Sequence, residues 1–191
     1  GLTDSTPFKT FDNLNGWTLG PGDTVYLKRG DIWPNSLLRL SGKGSTAEPI
    51  RLTAYGKGPN PIITGQNLTD ASCIVLENPS NFKVDSMDCR DSKIGLYLRY
   101  TGGNLDGTGP MFDNENVEIT HCYFENMDEV WSDASGDITV EPPYELSWGA
   151  GIWIGGNIPS QPGDWPVDTK TVVDGVTVKY CGFREVNTGI G

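Results

Sequence analysis

The chain has 191 residues, of which 36% are hydrophobic and 20% charged, with a formal net charge of −11 and a pI near 4.4. That length supports one domain with a sizeable core, and the acidic balance speaks against a nucleic-acid partner, which needs a basic face. No segment reaches the ~18 consecutive apolar residues of a membrane helix, so no membrane partner is expected.

Glycine (25) and proline (13) are abundant, and helical periodicity nowhere persists. Short runs of Val, Ile, Leu, Thr and Tyr alternate instead with Gly, Asn, Asp and Pro, which predicts an all-β chain with many turns. Residues 1–70 read as an N-terminal cap and first turns, opening on "TPFKTFDNLNGWTLGPGDTVYLKRGDIW" from Thr6 and continuing through "GKGSTAEPIRLTAYGKGPNPIITG" from Gly42. Residues 71–191 then read as a series of similar strands. "CIVLENP" begins at Cys73, "FKVDSMDCRDS" at Phe82 and "IGLYLRY" at Ile94. A loop of about 99–116 follows, then "VEITHCYFENM" from Val117. A second loop of about 126–150 leads to "GAGIWIGG" from Gly149, and a third of about 155–175 leads to "VTVKYCGFREV" and "TGIG".

These strands align without gaps. Val84, Ile119 and Val178 share one column, Met87, Cys122 and Cys181 the next, and Cys89, Phe124 and Phe183 a third. Leu76 and Leu98 lie 22 residues apart, the length of one undecorated turn. Short strands at a near-constant period, without helices between them, predict a right-handed parallel β-helix whose turns stack about 4.8 Å apart. The four cysteines form no CxxC pair, which argues against a zinc site, and their columns make them free core residues. His121, beside Cys122, reads as a half-exposed strand residue.

The N-terminal elements PFKT, PGDxVxLKRGDxW and PIxLxAYGxGxxPIIxG, and the later repeats, resemble in order the opening turns of secreted bacterial right-handed parallel β-helix carbohydrate-active proteins. That group comprises the pectate-lyase-like fold, with its β-helix glycoside hydrolases and polysaccharide lyases. The resemblance implies a secreted or cell-surface protein acting on an oligo- or polysaccharide. Members of the group usually continue for several more turns, whereas this chain stops at Gly191 within a repeat strand. A C-terminal β-helix fragment or a second subunit is therefore expected to cap that end, where the coil would expose unpaired backbone.

Side chains alternate along a strand. With Ile74, Leu96 and Ile152, and Leu76, Leu98 and Ile154, as inward columns, Val75, Tyr97 and Trp153 face outward, beside Glu77, Arg99 and Gly155. Tyr97 and Trp153 then form a platform for the apolar face of a sugar ring, with Arg99 beside them and Trp148 and Trp165 in the flanking loops. Long loops of this kind are often functional.

Three functions fit. Glycoside hydrolysis needs a carboxyl pair, for which Glu145, set between Tyr144 and Trp148 where its pKa would rise, comes first, followed by Asp128 and Glu129. This reading needs no cofactor, and one carboxylate is expected outside the chain. β-Elimination on a uronic-acid glycan would instead use Tyr97 or Arg99 as base, with Ca²⁺ bridging the substrate near Asp133 and Asp137. A non-catalytic glycan-binding β-helix needs the platform alone. Hydrolysis is the expectation, with elimination second.

Overall fold

The structure is a computed structural model that describes residues 7–65, 72–100, 114–127, 149–155, 173–186 and 188–190. Its strands, in chain order, are β1 (Thr18–Leu19), β2 (Thr24–Lys28), β3 (Ile32–Trp33), β4 (Leu38–Lys43), β5 (Ile50–Tyr55), β6 (Ile62–Thr64), β7 (Ser72–Ser80) and β8 (Phe82–Asp85). They continue as β9 (Asp88–Ser92), β10 (Ile94–Arg99), β11 (Asn114–Thr120), β12 (Tyr123–Met127), β13 (Ala150–Gly155), β14 (Val173–Lys179), β15 (Gly182–Val186) and β16 (Thr188–Ile190). Every third strand returns to the same sheet. Sheet A runs β1-β4-β7-β10-β13-β16, sheet B β2-β5-β8-β11-β14 and sheet C β3-β6-β9-β12-β15. The pairing between neighbours is parallel throughout. The chain is a parallel β-helix, as its repeat predicts, and no helix occurs among the described residues.

The registers match the sequence columns. Ile119 pairs with Val84 on one side and Val178 on the other, and Phe124 pairs likewise with Cys89 and Phe183. Ile74, Leu96 and Ile152 stack inward without exposure, as do Leu76 and Leu98. The inward columns also extend one turn earlier than the sequence alignment, through Leu38 and Leu40 of β4. Each such side chain contributes about 1.5–3 kcal/mol by leaving water. The Phe124 and Phe183 rings stack with centroids 5.3 Å apart, an arrangement that adds to their burial. All four cysteines are free; Cys73, Cys89 and Cys122 are buried and Cys181 is half-buried. A hydrogen bond from the Cys122 thiol draws the pKa of Cys181 down to about 7.

The coil turns its corners with left-handed residues that also stack. Asn81, Asn116 and Gly175 occupy one such column, with φ of 49°, 54° and 74°, and the Asn116 side-chain amide donates to Asn81 Oδ1 at 3.3 Å. Ser86, His121 and Tyr180 form a second column, and Asp91, Asn126 and Glu185 a third. His121 is therefore a corner residue, not a strand residue, and its side chain is largely exposed. Asparagine suits such a corner because its short amide tolerates the left-handed region and can bond locally. Asn116→Ala should accordingly lower stability by about 1–2 kcal/mol, while Asn116→Gly should cost much less; urea denaturation midpoints of the two variants check this.

The last described turn differs from those before it. Val117, Ile119, Cys122, Phe124 and Met127 are at most 2% exposed. Their counterparts Val176, Val178, Cys181, Phe183 and Val186 are only partly buried, and Ile190 is 49% exposed.

Candidate functional site on the outer face of sheet A

The outer face of sheet A presents two neighbouring columns. Arg39, Val75, Tyr97 and Trp153 stack in one, and Ser41, Glu77, Arg99 and Gly155 in the other. The outward register expected for Tyr97, Trp153 and Arg99 is the one observed.

The two aromatic residues are not equivalent. Tyr97 is only 3% exposed and belongs, with Val75, Ile94 and Ala150, to a small apolar cluster outside the main core. Trp153 is half-buried and packs against that cluster together with Leu37. Tyr97 thus does not offer an open ring face, which corrects the expected two-ring platform: it is the floor, and Trp153 is the more accessible ring. The physical reason is that an outward side chain on a solenoid is exposed only where nothing packs over it, and alternation cannot report that.

The glycines around Trp153 have separate tasks. A Cβ on Gly151 would fall 2.5 Å from the Phe183 ring, so glycine there admits the ring of the stacked pair. A Cβ on Gly155 would lie 3.3 Å from Trp153 Nε1, so the indole leans over the bare backbone of Gly155.

Beside the aromatics lies a charged triad. Glu77 Oε1 accepts from Arg99 Nη1 at 3.1 Å and also from Arg39 Nη1. The Glu77 side chain is 17% exposed and the two arginines about twice that. Two guanidinium groups share one carboxylate next to the half-buried indole. Such a group can orient hydroxyls or a carboxylate of a bound ligand. The Glu77–Arg99 pair follows from the sequence columns. Arg39 does not, because β4 precedes the aligned repeats; its signal was the alternation Leu38-Arg39-Leu40. Just past the strand, Tyr100 is fully buried in the core, its hydroxyl has no hydrogen-bond partner among the described residues, and burial pushes its pKa up.

The candidate acids Glu145, Asp128 and Glu129, the loop tryptophans Trp148 and Trp165, and Asp133 and Asp137 lie outside the described residues. Among the described residues no three His, Cys, Asp or Glu side chains gather as a metal-ligand set.

Comparison with solved structures returns the GH136 lacto-N-biosidase of Eubacterium ramulus, in its selenomethionine derivative and its native form. The TM-scores are 0.61 and 0.60 at 18% and 16% identity, over 95% and 98% of this chain. The matched regions are 32% and 33% of those chains, so this chain spans about a third of their length. No family model and no curated protein matches the sequence. The shared property is the β-helix fold of a glycoside hydrolase.

Proposed function

We propose that the chain forms part of a secreted glycoside hydrolase acting on complex glycans, with the outer face of sheet A as one wall of its cleft. The observation that carries this reading is the half-buried Trp153 beside the Arg39–Glu77–Arg99 triad, on a fold shared with a lacto-N-biosidase. In this reading Trp153 supports a sugar ring, Tyr97 holds Trp153 from beneath, and Arg99 and Arg39 bind polar substituents. Glu145, Asp128 or Glu129 supplies one carboxyl of the hydrolytic pair, and the other comes from outside the chain.

The paired arginines beside Trp153 favour one second reading, a polysaccharide lyase whose uronate carboxylate would sit against Arg39 and Arg99. A panel of oligosaccharides, lacto-N-tetraose and uronic-acid glycans included, separates the two. A hydrolase releases new reducing ends without ultraviolet absorbance. A lyase releases an absorbing unsaturated uronate, and a chelator stops it if Ca²⁺ bridges the substrate. In either case Trp153→Ala should weaken productive binding about tenfold or more, the scale of losing one stacked ring. Retention of glycans with no product at all would leave only the non-catalytic binding module.

A further inference from the structure

Sheet B carries a second surface that the sheet A site does not use. Its outward residues form two long columns: Thr24, Arg51, Lys83, Glu118 and Thr177, and beside them Tyr26, Thr53, Asp85, Thr120 and Lys179. Between them runs an open groove of about 300 Å³, lined mainly by Arg51, Thr53, Lys83, Asp85, Glu118 and Thr120. At one end Tyr26 is 60% exposed and meets Tyr55 edge-to-face, 6.3 Å apart. At the other Tyr180 is 78% exposed and lies flat on His121, with centroids 5.3 Å apart.

The charge of this face opposes that of the chain. Lys28, Arg51, Lys83 and Lys179 point outward here, and of the strand carboxylates of sheet B whose side chains are described, Asp85 and Glu118 face them. Glu118 is taken by Lys83 at 2.6 Å. Asp85 already accepts from Thr120 at 2.8 Å and Ser86 at 2.8 Å, and it bonds His121 Nδ1 at 2.9 Å. Lys28, Arg51 and Lys179 make no ion pair among the described residues. A local positive strip on a chain of net charge −11 is a surface whose attraction is for an anion at short range.

We infer that the outer face of sheet B is a docking strip for a glycan chain bearing acidic groups, lying along the coil axis. Five stacked strands make the strip roughly 19 Å long, enough for a short oligosaccharide. The exposed rings at its two ends take the apolar faces of sugars, the cations take carboxylate or sulfate groups, and Thr53 and Thr120 exchange hydrogen bonds with hydroxyls. A polynucleotide is the poorer fit, because the chain's overall negative charge repels a densely charged polyanion over a longer range. The strip stands independently of the sheet A reading, since it needs neither a cleft nor catalysis.

Calorimetric titration of the full chain with a hexameric oligogalacturonide tests it, with maltohexaose and a single-stranded oligonucleotide as comparisons. The expected result is saturable binding of the acidic hexamer that weakens as salt rises. Arg51→Glu and Tyr180→Asn, the latter chosen to keep the left-handed corner, should each weaken it about tenfold with unchanged circular dichroism. Arg184→Glu, on the exposed face of sheet C, should leave it unaltered. Absence of binding, equal affinity for maltohexaose, or tighter binding of the oligonucleotide would overturn the inference. Loss of binding in Trp153→Ala but not in the sheet B variants would also overturn it, and would place the acidic glycan on sheet A.

Discussion

Gly95→Ala is expected to destabilise the coil by about 3 kcal/mol, the upper part of the range for overpacking a closed core. A Cβ on Gly95 would fall 2.3 Å from Phe124 Cδ1 and 2.7 Å from the carbonyl oxygen of Gly151. The ring cannot retreat, because it stacks on Phe183 at 5.3 Å. The carbonyl cannot retreat, because β10 and β13 are paired in register on either side of it. Packing this dense transmits the strain into backbone. Gly155→Ala makes the contrast: its nearest neighbour is the indole edge of Trp153 at 3.3 Å, a side chain that can swing away, so the cost should stay below about 1 kcal/mol. Urea denaturation of the two variants measures the difference. A double variant, Gly95→Ala with Phe124→Leu, should recover part of the loss, since the clash is with the ring. Equal midpoints for Gly95→Ala and Gly155→Ala would show that the Phe124 ring is not what requires the glycine.

Glu77→Gln should cost about 1–2 kcal/mol, more than removal of either arginine alone. The carboxylate holds Arg39 and Arg99 together, and the amide that replaces it removes the charge that the two guanidinium groups share. A wholly buried pair would lose more. The figure is reduced here because the arginines are about a third exposed, and water screens them. Arg99→Ala leaves Glu77 still paired with Arg39, so its cost should fall below about 1 kcal/mol. Salt provides the diagnostic: it should relieve part of the Glu77→Gln loss by screening the two cations, and should have little effect on Gly95→Ala. A Glu77→Gln variant as stable as the parent at low salt would mean that the triad does not organise the sheet A face.

The fold was legible because a β-helix writes its tertiary structure into local sequence. Each residue stacks on its equivalent one turn later, so apolar columns recur at the turn length and the register can be counted, as for Ile74, Leu96 and Ile152. The same counting placed Tyr97, Trp153, Glu77 and Arg99 on the outside of one sheet. The counting ends where the period is irregular: β4, an earlier copy carrying Arg39, lies beyond the alignable repeats. The corner columns were also hidden, since Ser86, His121 and Tyr180 share a left-handed backbone but no chemistry.

What the sequence by itself determined about this protein is therefore which residues face in and which face out, since alternation and stacking are short-range rules that depend on neighbours within one turn. Only the tertiary structure decided how open each outward residue is. Tyr97 is covered while Tyr26 and Tyr180 are exposed, although all three lie on the outside of the coil. Burial depends on what long-range packing brings over a face, which the local pattern does not carry, whereas a pair between adjacent turns such as Glu77 and Arg99 can be counted from the columns.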